Sequence, residues 1–194
     1  RPDLFGWSEF DEARNVDFNG LLWVRPEGNV VIDPMPQTPH DAGHLHALGG
    51  VRHVVVTNSD HVRDARELAD RHRARLWGPA GERKTFPVPC DRWLADGDEV
   101  VDGLIAYALE GSKTPGELAL LLDGSTLVTG DLVRAHRGGS LMMLPDPKLR
   151  DRAAAVASVR RLAALPGIEA VLVGDGWPVF RDGAARLKEL ADSL

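Results

Sequence analysis

Three apolar runs in this chain end on side chains that can hold a cation or carry a proton. The run His53–Thr57 continues into Asn58-Ser59-Asp60-His61, Thr126–Thr129 into Gly130-Asp131, and Ala170–Val173 into Gly174-Asp175-Gly176. A fourth polar cluster, Ser112-Lys113-Thr114-Pro115-Gly116, comes just before the run Leu118–Leu122. Carboxylate and imidazole groups are acceptors, proton carriers and metal ligands, and loops held at the ends of strands are where sites are usually built. Taken singly, each Asp reads as a turn residue or helix N-cap. Their repeated position after a strand is what gives the set a chemical meaning.

Other reactive side chains carry less. His40 and His44 lie at i and i+4, with His46 nearby, but they lack an acidic partner at metal-ligand spacing and read as a solvated helix face. His53 opens a strand, and His72 sits at an arginine-rich helix end where a cation suits the dipole. His136, within Arg134-Ala135-His136-Arg137-Gly138-Gly139, reads as an exposed residue of a flexible loop after Asp131. Met142, Met143 and Trp177 suit core or rim packing. Ser59, Ser112 and Thr114 have no general base at a recognisable spacing. Cys90 is the only cysteine, so there is neither an intramolecular disulfide nor a cysteine-based zinc site.

The positioning elements are set by the spacing of apolar residues and turn signals. Leu21–Val24 and Val30–Ile32, joined by Pro26-Glu27-Gly28-Asn29, predict a β-hairpin. Helices are predicted over Asp41–Leu48, ending at Gly49-Gly50, over Arg63–Arg73 and over Leu149–Leu165, with a closing one over Asp182–Leu194. Leu76-Trp77, Leu104–Leu109, Leu118–Leu122, Thr126–Thr129 and Ala170–Val173 read as strands. Each half is thus several strands followed by strand–helix alternation. That pattern suits an α/β (α+β) chain folded as a four-layer αββα sandwich, two mixed β-sheets flanked by helices. No linker divides residues 1–194, so a single domain is expected.

Composition narrows the function classes. A length of 194 residues supports one sizeable core, and 43% hydrophobic with 27% charged residues is ordinary for a globular protein. The net charge of −6, with arginines scattered along the sequence, leaves no footprint for nucleic acid. No apolar run approaches the ~20 residues that cross a bilayer, so no membrane partner is expected, and a cytoplasmic location is. The chain opens on Arg1-Pro2-Asp3-Leu4 without an initiator Met, which implies preceding residues; no signal peptide is visible from Arg1 onward.

Taken in order, these segments resemble the metallo-β-lactamase-fold hydrolases. That family carries an H-x-H-x-D-H loop after a strand, then a T/H-P-G-H-T-x-G segment, a strand ending in G-D and a late strand ending in G-H-G. Here stand Val56-Thr57-Asn58-Ser59-Asp60-His61, Gly111-Ser112-Lys113-Thr114-Pro115-Gly116, Leu127-Val128-Thr129-Gly130-Asp131 and Val171-Leu172-Val173-Gly174-Asp175-Gly176. Val31-Ile32-Asp33-Pro34 looks like the family's I-D-x-G element, and Leu94-Ala95-Asp96-Gly97-Asp98 like its L-x-D-G-D turn. The resemblance runs from about Asn15 to Gly176.

The departures from the family pattern set the expected chemistry. With Asp60 and His61 matched to two second-metal ligands, the preceding histidines become Val56 and Asn58, Lys113 replaces the third first-metal histidine, and Asp175 the last one. Asp131 matches the bridging carboxylate. A register anchored on Thr57 instead puts Asn58 and Asp60 at the first two ligand positions, with Val62 and Arg63 spoiling the rest. Neither register keeps a dinuclear site. Val, an amide and an ammonium do not make a zinc pocket, so Lys113 is expected as the cation among Asp60, Asp131 and Asp175. Asp60, His61, Asp131 and Asp175 could still hold one divalent ion (Zn, Mn, Fe or Mg) with water completing the shell.

The expectation is therefore a metal-free pseudo-hydrolase, with Lys113 in the first-metal position, that binds a small-molecule ligand or a partner. The alternative is a mononuclear hydrolase of an ester, thioester, lactone or phosphodiester, in which Asp60, Asp131 and Lys113 do the chemistry. An oxidoreductase use of iron is a third possibility without an identified redox partner. β-Lactam hydrolysis is not expected without the histidine-rich zinc set.

Overall fold

The alternation along Leu118–Leu122 divides its side chains between two cores. Leu118, Leu120 and Leu122 pack with one set of buried residues, Ala119 and Leu121 with another. A strand covered on both faces reads as an unbroken apolar run, and this one lies in the middle of a layered molecule. The computed structural model describes residues 1–194.

The first sheet comprises β1 (Leu4–Asp11), β2 (Val16–Trp23), β3 (Val30–Ile32), β4 (His53–Val55), β5 (Arg75–Pro79) and β6 (Arg92–Leu94), in that spatial order. The pairs β1–β2 and β2–β3 are antiparallel, whereas β3 through β6 run parallel. Helices α1 (Pro39–Ala47) and α2 (Ala65–His72) make the parallel crossovers. Leu45 of α1 and Ala65, Leu68 and Ala69 of α2 cover the outer face of the sheet at Val31, Val54 and Leu76.

The second sheet contains β7 (Glu99–Val101), β8 (Leu104–Ala108), β9 (Leu118–Leu122), β10 (Thr126–Thr129) and β13 (Ala170–Val173), ordered β13-β10-β9-β8-β7. Only β10–β13 is parallel. A separate hairpin pairs β11 (Val133–Arg137) with β12 (Ser140–Met143). Helices α3 (Arg152–Ala163) and α4 (Gly183–Asp192) close the outside through Ala155, Val159, Leu162, Leu187 and Leu190. The architecture is an αββα sandwich of two mixed sheets. Between the sheets, Ile32, Val55 and Leu94 meet Leu104, Leu118 and Leu120, and truncating a leucine there to alanine would cost roughly 2–5 kcal/mol. No helix is long and apolar enough to cross a membrane.

Where element ends differ from the sequence pattern, local chemistry explains it. Helix α1 starts at Pro39 because Thr38 caps it, with Asp41 completing a capping box. Helix α2 starts only at Ala65 because Arg63 has a left-handed φ of 39°. Asp151 caps α3 by accepting from the Ala154 N–H, later than Leu149. The segment read as a flexible loop around His136 is the β11–β12 hairpin, with Val133, Arg134 and Ala135 buried.

Three backbone hydrogen bonds stitch the sheets together at the carboxyl end of their parallel strands, one of them from the Gly176 N–H to the Asp17 carbonyl at 2.7 Å. The Asn19 N–H donates to the Gly174 carbonyl at 2.9 Å, and the Leu118 N–H to the Thr57 carbonyl at 2.8 Å. The Asn19 side-chain amide adds donations to the Val173 and Gly176 carbonyls, each at 2.8 Å. Open parallel sheets bind ligands at this end.

Candidate functional site

Strand register brings the acids together. Thr129 of β10 pairs with Val173 of β13, so Asp131 and Asp175 each lie two residues beyond the same rung. On the other sheet Ile32 pairs with Val55, which sets Asp33 beside the start of the Val56–His61 segment. There Asn58 caps a single 3-10 turn, its Oδ1 accepting from the Asp60 N–H at 2.9 Å. That turn sends His61 inward and leaves Asp60 at the rim.

His61 is almost fully buried, and Asp33 fixes it. The Asp33 carboxylate accepts from the Thr57 N–H at 2.8 Å, from the Thr57 hydroxyl at 2.6 Å and from His61 Nδ1 at 2.8 Å. With the proton on Nδ1, Nε2 faces Asp131 Oδ2 at 3.9 Å and Asp175 Oδ1 at 3.8 Å. A carboxylate behind a histidine sets its tautomer and ring orientation. Burial works against a charged His61, but Asp33, with a contribution from Asp131, outweighs it and holds the imidazole pKa above its ordinary value.

The cations are three. Arg134 of β11, 6% exposed, donates through Nη2 to Asp131 Oδ1 at 2.9 Å and to Asp175 Oδ2, and through Nε to the Asp131 carbonyl at 3.2 Å. Arg63 donates to the carbonyls of Asn19 and Asp33 at 2.9 and 3.2 Å and reaches within 3.8 Å of Asp175 Oδ1. Lys113, exposed at the cleft mouth, pairs with Asp60 and lies 3.5 Å from Asp131 Oδ2. Burial disfavours a charged Lys113, yet the hydrogen bond to Asp60 and the field of Asp131 raise its pKa. Burial likewise disfavours a charged Asp131, but His61, Lys113 and Arg134 hold its carboxyl below the usual range.

Asp60, His61, Lys113, Asp131 and Asp175 all line one cleft of about 880 Å³. Within it the ligating atoms of His61, Asp131 and Asp175 lie within 4.8 Å of one another. Asp60 stands apart from that trio and is engaged by Lys113. Lys113 bridges Asp60 and Asp131 but does not pair with Asp175, whose cation is Arg134. Arg134, Asp33 and Arg63 are the site residues that sequence reasoning did not single out. The signal for Arg134 was present: two runs separated by Gly138-Gly139 read as a hairpin, which would have taken Arg134 off a loop and put it on a strand beside the acids.

Beneath the cleft Glu117 is fully buried, accepting from the Ser112 hydroxyl and from the Leu132 N–H at 2.8 Å. Burial, with the nearby charge of Asp131, pushes its pKa up to about 7. His136 lines the cleft wall, and Trp177 is exposed with its ring against Gly138.

The donor set discriminates between one ion and two. Val56, which the sequence pattern put at a ligand position, packs instead into the core under α2, the Asn58 oxygen is committed to its cap, and Lys113 is a cation, so these residues offer no ion a ligand set. By contrast, Asp131 Oδ2 and Asp175 Oδ1 are buried without hydrogen-bond partners and face His61 Nε2. Two hard oxygens and one imidazole suit a single divalent ion.

The family model described as Metallo-beta-lactamase superfamily matches residues 1–194. No curated protein matches the chain. Among solved structures, the DIM-1 metallo-beta-lactamase superposes with a TM-score of 0.76 at 16% identity, covering 100% of this chain and 94% of that one. A metallo beta lactamase from Erythrobacter litoralis gives 0.72 at 19%, covering 100% and 90%. FIM-1 from Pseudomonas aeruginosa, solved in a mono-zinc form, gives 0.74 at 15%, covering 98% and 90%. At these identities the likeness is one of fold.

Proposed function

This chain belongs to the metallo-beta-lactamase superfamily, and we propose that within it the protein is a ligand-binding pseudo-hydrolase that works without a metal. One observation carries the reading: the site's own side chains close its charge. Four acids, Asp33, Asp60, Asp131 and Asp175, are matched by Arg63, Lys113, Arg134 and a His61 whose protonated form Asp33 favours. Three carboxylates gathered without a counter-charge would raise one another's pKa; here protein cations remove that demand. The cleft suits a small polar molecule, since Val16, Phe18, Met35 and Pro36 are the only apolar residues among its sixteen lining ones.

The test is elemental analysis of protein purified without added metal, together with melting in the presence of a chelator. The reading expects well under one metal per chain and an unchanged Tm. A resident ion at a hundred times its Kd would add about 2.7 kcal/mol of stability, so one equivalent of metal with a clear Tm loss in chelator would overturn it.

A second reading is supported by the two bare oxygens on Asp131 and Asp175. In it His61, Asp131 and Asp175 hold one ion, with Asp60 as a further acid at the rim. The ion would supply Lewis acidity toward an ester, thioester, lactone or phosphodiester. Lys113, with its ammonium at the cleft, would stabilise a developing oxyanion. That reading expects about one metal per chain, lost along with hydrolysis in His61→Ala and Asp131→Ala. Variants hydrolysing a panel of esters as fast as the unmodified protein would end it.

A further inference from the structure

Four arginines that lie far apart in sequence meet at the edge of the first sheet remote from the acidic cleft. Arg52 precedes β4, Arg73 caps the carboxyl end of α2, Arg75 opens β5 and Arg92 opens β6. The parallel ladder pairs His53 with Arg75 and Trp77 with Arg92, and neighbouring strands are only about 4.8 Å apart. These residues, with His53, Ala74 and Asp91, line a second cavity of about 560 Å³. None of the four guanidiniums has an ion-pair partner. The cavity's one acid, Asp91, is turned to the backbone, accepting from the Leu76 N–H at 2.8 Å.

His53, which lines the same cavity, adds an independent feature. His53 is 9% exposed, and its Nδ1 accepts from the Trp77 indole N–H at 3.2 Å. An indole N–H can only donate, so the His53 proton sits on Nε2, which has no protein partner. Burial and then Arg75, Arg52 and Arg25 lower the His53 pKa, keeping the ring neutral. The cavity wall thus combines His53 with four arginines that make no ion pair, one of which, Arg75, lies over the Trp77 ring at 5.7 Å.

We infer that this cavity is a second binding site, for a compact phosphate ester or diphosphate held by Arg52, Arg73, Arg75 and Arg92 with the His53 Nε2–H. Guanidinium forks engage phosphate oxygens in pairs. The chain's net charge of −6 opposes the approach of a long polyanion, whereas a concave cluster takes a small one.

Calorimetric titration with inorganic pyrophosphate at low ionic strength tests this. Binding to the unmodified protein is expected, weakening as salt rises, and falling by at least about tenfold in the triple variant Arg52→Gln, Arg75→Gln, Arg92→Gln. All three side chains are solvent-exposed, so the variant should keep its Tm. Arg160→Gln, an exposed change on α3, should bind as the unmodified protein does. No binding, equal affinity in the triple variant, or an equal loss in Arg160→Gln would overturn the proposal. So would a short single-stranded oligonucleotide that binds the same arginines more tightly than pyrophosphate.

Discussion

Arg134→Met removes the clamp that joins Asp131 to Asp175 while keeping a side chain of similar reach. Both carboxylates are buried, at 3% and 4% exposure, and the guanidinium is the only group that hydrogen-bonds their side chains. Deleting one partner of a buried ion pair costs about 3–5 kcal/mol, because a desolvated charge is left behind. His61, Lys113 and Arg63 stand at 3.5 Å or more and relieve only part of that charge. In a domain of this size each kcal/mol shifts Tm by roughly 2–4 °C, so the melting point should fall by about 6–20 °C, with a matching loss in urea unfolding. The variant also frees Asp131 Oδ1 and Asp175 Oδ2. Millimolar Mn²⁺ should therefore raise the variant's Tm more than that of the unmodified protein, by mass action on the folded state. A variant within about 1 kcal/mol of the unmodified protein, unmoved by Mn²⁺, would refute the view that Arg134 stands in for an ion.

The same site supports two more expected outcomes. Glu117, with an ordinary pKa of 4.5 raised to about 7, binds its proton more tightly folded than unfolded; the carboxyl imposes no penalty below pH 4.5, and stability should fall as pH rises from there through 7, by on the order of 3 kcal/mol. Glu117→Gln, which keeps an acceptor for the Leu132 N–H and replaces the bond from Ser112 by an amide donation to its hydroxyl oxygen, should flatten that slope in urea titrations across pH; an unchanged slope would locate it elsewhere. Gly176 has φ +95°, and a Cβ there would lie 2.1 Å from the Ala135 carbonyl oxygen. Gly176→Ala should destabilise by more than about 2 kcal/mol, and a thermal melt matching the unmodified protein would contradict the close strand approach that aligns Arg134 with Asp175.

Much of the layering was readable because both sheets are fed by strongly apolar strands, and Leu118–Leu122 or Ala170–Val173 can scarcely be anything else. Strand β1 leaves no clear pattern in the sequence because it is an edge strand with no fully buried residue in Leu4–Asp11. The acids of the site were legible from their place after strands. Their neutralising cations were less so. Lys113 stood at a motif position, whereas Arg134 acts through a hairpin packed against β13, and Arg63 through a left-handed turn beside His61. Long-range pairing decides which arginine meets which carboxylate, and it leaves no local trace. The same holds for the cluster of Arg52, Arg73, Arg75 and Arg92, scattered in sequence and contiguous only in the sheet.

The hydrogen-bonded seam at Asn19, Gly174, Thr57 and Leu118 has a consequence for how such a site can change over time. It ties the two halves of the cleft through main-chain groups and one amide, none of which contributes charge to the pocket. Residues at the strand ends can then be exchanged, a histidine for an aspartate or a ligand for an ammonium, while the spacing between the two walls stays put. Geometry and electrostatics are thus set by different groups, so a change of charge at the strand ends need not move the walls.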